Sequence, residues 1–437
     1  MFQPRVAWRR LLSFALIAAA FVGATPAAAP LPLPPRQPNF LLHFVDDLGY
    51  GDLGVTGHPT AHTPNIDALA GTFLSFFLFL FFIQYFFSPH LSRLVVPFLV
   101  PFPSPRRSAY NIFLRPSYPP PPPSDRPIPH VNTTVTGRRL TSWYSGYPVC
   151  TASRTALLTG RHPPRVGMPG VINSLGVEGL PLSEITVADR LRALGYKTLT
   201  VGKWHQGQRP DYLPKARGFD AFYGLPYSVD DGIGYANASE CGMPTKSCAA
   251  KHKHNNNKKK KKEKKKKHST KVSLGPEIPL PLIRQTPDSD EILQQPTDLI
   301  PLSQNMLAFV KNFTGQWTAG GLPWFAYVAH PHVHTATANV QQLGCFEQYS
   351  GCAFAGTSIR GGFGDALSEV DWMVGELVQH VEDIGATENT LVIFTSDNGP
   401  WLAKDQGGGS VGLFGATSAP YRNVGKGSTW EGGLRMP

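Results

Sequence analysis

The stretch CTASRTALLTGR, residues 150–161, sets one thiol beside Ser153 and Arg154 at what reads as the start of a helix. A helix N-terminus attracts anions and lowers a thiol's pKa, so Cys150 is expected to be more acidic than an ordinary cysteine. A buried structural cysteine and a Cys–His hydrolase remain open as other uses of this stretch. Two oxygen-bearing pairs stand far from it in sequence, Asp46-Asp47 in DDLGYGD and Asp397-Asn398 in SDNGP. Oxygen donors without clustered Cys or His favour a hard cation, Ca²⁺ or Mg²⁺. Adjacent carboxylates need a counter-charge, which a divalent ion supplies. A cap or Asx-turn would use the same residue types. Lys203 and His205 in GKWHQG are two apart, so an extended chain would point them the same way. A lysine offers a point charge for an anion and a histidine moves protons near neutrality. Lys426, in the Gly-rich VGKGSTWEGG, adds a second cation. In HPHVHT, spacing alone does not choose among His330, His332 and His334.

These residues need elements that bring them together. Strand and helix patterns alternate, which predicts an α/β fold with a mainly parallel sheet flanked by helices. NFLLHFV runs into Asp46-Asp47, KTLTV into GKWHQG, WFAYVA into HPHVHT, and TLVIFT into SDNGP. Ligands of open α/β sheets bind outside the carboxyl ends of the strands. Four separate strands would thus deliver carboxylates, a carboxamide, a lysine and histidines to one edge.

The chain has 437 residues, enough for one large α/β domain or two smaller ones. Arg5, Arg9 and Arg10, then LLSFALIAAAFVGA and TPAAAP, follow the order of a signal peptide over residues 1–29. The apolar run is short for a membrane span, so a cleaved leader and no stable span are expected. The secretory route implies an oxidising compartment. Asn132, Asn237 and Asn312 open Asn-x-Ser/Thr triplets, and each of the pairs Cys241/Cys248 and Cys345/Cys352 could close a small loop. That leaves Cys150 as the odd cysteine. The net charge of +11 does not imply nucleic acid. Residues 251–271 hold 12 Lys and one Glu, and the remainder has 29 basic and 29 acidic residues. That Lys/Asn run repels itself and is expected to be disordered. Residues 72–137, with TFLSFFLFLFFIQYFF and YPPPPPSDRP, form a second stretch unlike the rest, its prolines excluding helix and central strand. Both read as insertions into a domain spanning 38–437.

Taken together, these motifs resemble the sulfatase family, and within it the arylsulfatase A type. CTASRTALLTGR is similar to the signature Cys-x-Pro/Ala-Ser-Arg followed by Leu-Thr-Gly-Arg. DDLGYGD, GKWHQG, TSDNGP and GKGSTWEGGLR resemble the other family motifs, in order, and YGLPYSVDDG follows GKWHQG as in the arylsulfatase A type. Ala152 stands where the commoner residue is Pro, and HTA replaces the usual His-x-Pro. The resemblance implies the alkaline-phosphatase-like α/β fold, with the family's smaller C-terminal subdomain missing beyond Pro437. It implies that a formylglycine-generating enzyme converts Cys150 to Cα-formylglycine, whose hydrate is the nucleophile, with Arg154 supporting it. Asp46, Asp47, Asp397 and Asn398 would hold Ca²⁺, with the modified Cys150 beside the ion. Lys203 and Lys426 would bind sulfate oxygens. His205 would take the proton that returns the sulfated hydrate to the aldehyde, and Ser228 fills the polar position of PYS. His334, with His332 as second choice, would contact sulfate and protonate the leaving alcohol. The expected activity is hydrolysis of an aryl, glycan or glycolipid sulfate in a lysosomal or extracellular setting. The alternatives are a formylglycine phosphonate or phosphodiester hydrolase and a non-catalytic product that only binds sulfated ligands.

Overall fold

The computed structural model describes residues 37–71, 137–235, 278–336, 340–341, 349–402 and 425–437. The leader, the run at 251–271 and nearly all of 72–137 lie outside the described residues, as do Asn132, Asn237, Cys241, Cys248 and Cys345.

The strands are β1 (Asn39–Val45), β2 (Trp143–Tyr144), β3 (Lys197–Lys203), β4 (Ala221–Leu225), β5 (Gly234–Tyr235), β6 (Leu282–Gln285), β7 (Asp290–Gln294), β8 (Trp324–His330), β9 (Val340–Gln341), β10 (Thr390–Ser396) and β11 (Arg435–Met436). Seven of them form one sheet in the order β10-β1-β8-β3-β4-β6-β7. The pairs from β10 through β4 are parallel, and β6 and β7 add an antiparallel margin. The mainly parallel sheet expected from the alternating pattern is therefore present. β2 pairs with β11 and β5 with β9 in two short ribbons.

The helices are α1 (Pro64–Leu69), α2 (Cys150–Thr159), α3 (Pro163–Val166), α4 (Val187–Ala193), α5 (Leu302–Ala319), α6 (Gly362–Asp383) and α7 (Glu431–Leu434). Central parallel strands are apolar on both sides because helices cover both faces. In β8, Trp324, Ala326 and Val328 join one core with Met306 and Val310 of α5 and Met373 and Leu377 of α6. Phe325, Tyr327 and Ala329 join a second core with Leu158 of α2 and Ala188 of α4. The burial of Leu302, Met306 and Val310 at intervals of four residues gives α5 its apolar face. Among the described residues, no helix is long and apolar enough to cross a membrane.

Register decides what emerges at the carboxyl edge. Val45 lies opposite Ser396 on one side and His330 on the other, so the residues that follow are neighbours in space. Gly202 stands opposite Ala329 at φ +90, and a Cβ there would collide with the Ala329 carbonyl oxygen. Only glycine lets β3 approach β8 that closely while delivering Lys203 to the edge.

Candidate active site

Helix α2 opens at Cys150 after Val149, which is extended at φ −142, and Ser153 N–H donates to the Val149 carbonyl at 2.9 Å. The thiol is buried, with 2% exposure. Burial pushes it up to about 12 against the pull of Lys203 and Lys426. This corrects the expectation of an acidic thiol: the helix terminus is outweighed by desolvation, and Cys150 stays protonated. Cys352 is disulfide-bonded and Cys150 is free.

Asp46 and Asp47 follow β1, and Asp397 and Asn398 follow β10. The Asp47 N–H donates to Asp397 Oδ1 at 3.1 Å, and Asn398 Nδ2 donates to Asp47 Oδ1 at 2.7 Å. The cations interleave with these acids. Lys203 Nζ lies 2.6 Å from Asp46 Oδ2 and 2.9 Å from Ser228 Oγ. Lys426 Nζ lies 2.7 Å from Asp47 Oδ1. Arg154 Nη2 lies 2.8 Å from Asp397 Oδ2 and 3.6 Å from Asp46 Oδ1, while Nη1 donates to the Lys203 carbonyl at 3.0 Å. Three carboxylates thus meet three cations out of water.

Burial alone would raise Asp46, but Lys203, His334 and Arg154 hold it well below the usual carboxylate range. Burial and the Asp46 charge push Asp397 upward. Burial would lower Lys426, but Asp47 and Cys150 keep it well above the ordinary lysine value. Two adjacent amides fix the backbone at Lys426: Lys426 N–H donates to the Pro400 carbonyl at 2.9 Å and Gly427 N–H to the Pro148 carbonyl at 2.8 Å. Those two bonds link the segments before Cys150 and after Asn398.

The histidines separate by environment. His330 Nε2 faces His43 Nδ1 at 3.1 Å inside the sheet. His332 Nε2 faces Glu369 Oε2 at 3.2 Å. His334 alone of the three reaches the charged cluster, with Nε2 at 2.9 Å from Lys426 Nζ and 3.3 Å from Asp47 Oδ2. Its Nδ1 lies 2.7 Å from the Thr335 carbonyl, which can only accept, so Nδ1 carries the proton. His205 has φ 57, so the chain beyond Lys203 is turned and not extended as the spacing suggested. His205 Nε2 donates to the Ile172 carbonyl at 2.7 Å, and its buried Nδ1 has no hydrogen-bond partner. Burial and Lys203 lower its pKa well below the ordinary value, so it is a neutral base.

Atoms of Asp46, Asp47, Cys150 and His334 suited to a metal lie within 4.8 Å of one another. Asp46 Oδ1 and Asn398 Oδ1 are buried oxygens without a hydrogen-bond partner. Buried polar atoms are nearly always hydrogen-bonded, so two hard oxygens without a hydrogen bond in this cluster fit a hard cation. Asp397 differs from the set proposed from sequence in that its Oδ2 is directed at Arg154.

Two acids escaped the sequence reading. Asp230, 3.8 Å from His334 Nε2, is lowered to about 2: burial opposes the shift, and the His334 and Lys426 charges overcome it. Asp231, 3.8 Å from His205 Nε2, is pushed up to about 6 by burial and by Asp230. The signal was present in VDDG, an acidic pair just past a strand like Asp46-Asp47.

The Sulfatase family model matches residues 121–437. The chain belongs to the sulfatase family. Arylsulfatase A of Homo sapiens is 33% identical over 405 residues, covering 92% of this chain and 58% of that protein. Steryl-sulfatase of Mus musculus is 28% identical over 468 residues, covering 98% and 61%. The crystal structure of the PsFucS1 sulfatase from Pseudoalteromonas sp. aligns with a TM-score of 0.58 and 27% identity, covering 99% of this sulfatase-family chain and 66% of that one. The fold is alkaline-phosphatase-like, as the motifs implied. The chain spans about three-fifths of the length of the curated relatives it matches.

Proposed function

We propose that this sulfatase-family chain hydrolyses sulfate monoesters at the cluster around Cys150. The observation that carries the reading is the convergence of that buried residue with Asp46, Asp47 and His334 within 4.8 Å, flanked by Lys203 and Lys426. A thiol raised to about 12 is a poor nucleophile, which favours a modified side chain. A formylglycine-generating enzyme, with dioxygen as oxidant and thiols as reductant, would convert Cys150 to the aldehyde with its sulfur released as hydrogen sulfide, and the hydrate of that aldehyde has two hydroxyls.

One hydroxyl gives its proton to the Asp397 carboxylate, whose charge acts at the Cys150 position, and attacks sulfur as the bond from sulfur to the alcohol oxygen breaks. Lys203 and Lys426 bind the sulfate oxygens and stabilise the developing charge; to do so they turn from Asp46 and Asp47. The leaving oxygen takes a proton from His334, which must first be protonated at Nε2, with Asp47 and Asp230 at 3.3 and 3.8 Å as counter-charges. His205 Nδ1, with its free lone pair, takes the proton of the second hydroxyl. The aldehyde re-forms as sulfate leaves, and water restores the hydrate. Arg154 holds Asp397 and Asp46 in place, and Ser228 steers the Lys203 ammonium. Asp46, Asp47, Asp397 and Asn398 would hold Ca²⁺, or Mg²⁺, which supplies Lewis-acid stabilisation of the sulfate oxygens when bound.

The substrate is an aryl, glycan or glycolipid sulfate, and the leader sequence places the enzyme in the secretory pathway, lysosomal or extracellular. The test compares turnover of 4-nitrophenyl sulfate and of bis(4-nitrophenyl) phosphate, with hydrazide capture of the peptide that carries residue 150. An aldehyde and a preference for the sulfate ester are expected. Cys150→Ala and Cys150→Ser should both lose turnover with the fold intact. Full activity with Cys150 wholly thiol overturns the mechanism, and preference for the phosphodiester overturns the substrate class.

A further inference from the structure

We propose that Glu369 is a positioning residue for this centre, setting Asp46 and His334 in place through His332. The inference rests on the sulfatase reading above. Glu369 lies on α6 between Ala366 and Val370, both in the apolar core. Its carboxylate is buried, and Oε2 lies 3.2 Å from His332 Nε2 and accepts the Gly351 N–H at 2.7 Å. The carboxylate accepts, so His332 Nε2 donates. The His332 ring stands edge-on to Tyr349 at 4.3 Å between centroids, which leaves it little freedom to turn.

The backbone at His332 grips the acidic pair. Asp46 N–H donates to the His332 carbonyl at 2.9 Å, and Val333 N–H donates to the Asp46 carbonyl at 2.9 Å. Two residues further on stands His334. One side-chain anchor on α6 therefore governs the loop that clamps Asp46 and delivers His334. A buried polar pair is weak support for stability, since an apolar pair of similar volume often serves as well. A directional bond to the ring, by contrast, sets the loop's position, and misplacement by about 1 Å costs about 100-fold in rate.

The test uses the full mature chain with 4-nitrophenyl sulfate, comparing Glu369→Gln, Glu369→Leu, His332→Phe and the double variant Glu369→Leu/His332→Phe. The Leu and Phe variants should lose about 100-fold in kcat with KM close to wild type, because Lys203 and Lys426 still hold the sulfate. Glu369→Gln should keep most of kcat, since its Oε1 can accept from both donors. The double variant should lose no more than either single one, because both act through one linkage. The calcium-induced rise in thermal midpoint should shrink in the Leu and Phe variants as Asp46 shifts. Wild-type kcat in either of these, multiplying losses in the double variant, a Gln variant as poor as Leu, or failure of both single variants to fold would overturn the proposal. An aldehyde-bearing wild type with no turnover overturns the sulfatase reading instead; the calcium response of the variants then decides the linkage, and its absence in wild type overturns both.

Discussion

Replacing Arg154 by methionine keeps a long side chain over the Phe44 ring, where the guanidinium carbon lies 5.4 Å from the centroid, but removes a buried charge. That charge is 2.8 Å from Asp397 and 3.6 Å from Asp46, and all three side chains are fully buried. At an effective dielectric of about 20, unit charges about 3 Å apart attract by about 5–6 kcal/mol. Much of this is offset by desolvation, and breaking one side of a buried pair costs about 3–5 kcal/mol. Asp397→Asn keeps one acceptor for the guanidinium and should cost about 1–3 kcal/mol. Independent effects would sum to about 4–8 kcal/mol. The double variant leaves no orphan charge at this pair, so it should cost about 2–4 kcal/mol, a coupling of about 2 kcal/mol or more. Urea unfolding at neutral pH in EDTA measures all four corners of the cycle, and EDTA removes any metal from the comparison. Against a total stability of about 5–15 kcal/mol, the single Arg154 variant should show a markedly lower midpoint. A coupling under about 0.5 kcal/mol, or an Arg154→Met cost under about 1 kcal/mol, would refute the claim that this guanidinium holds the acidic cluster together.

Calcium at about 100 times its Kd should stabilise the chain by about 2.7 kcal/mol, EDTA should reverse the gain, and Asp46→Asn should abolish it. A wild-type thermal midpoint indifferent to calcium would count against the metal site. Asp231, pushed up to about 6 by burial and Asp230, favours its neutral form in the fold. Its contribution is fully present below about pH 4 and is lost as pH rises through 6, a change of about 3 kcal/mol for two units. Asp231→Asn should therefore stabilise the chain relative to wild type at pH 7.5 and match it at pH 4, as read by thermal midpoints; an equal gain at both pH values would show that the carboxylate is not desolvated.

Local patterns were enough to find the strands ending at Val45, Lys203, His330 and Ser396, because a buried parallel strand is a short apolar run and its end is marked by the first polar residues. The same patterns named the lysines, the acidic pairs and the signature around Cys150, whose residue types and order carry the family. The order β10-β1-β8-β3 was not legible, since no residue in one strand records which strand lies beside it. Spacing alone did not choose His334 over His330 and His332; the family resemblance did, and the three differ by what faces them across the fold: Lys426, His43 and Glu369. The thiol shows the division most clearly. Its place at the start of α2 was readable and suggested acidity, yet its pKa follows the opposite direction. A helix terminus acts over one turn and is written in adjacent residues, whereas desolvation sums every segment that closes over the sulfur, and those segments meet only when the chain has folded.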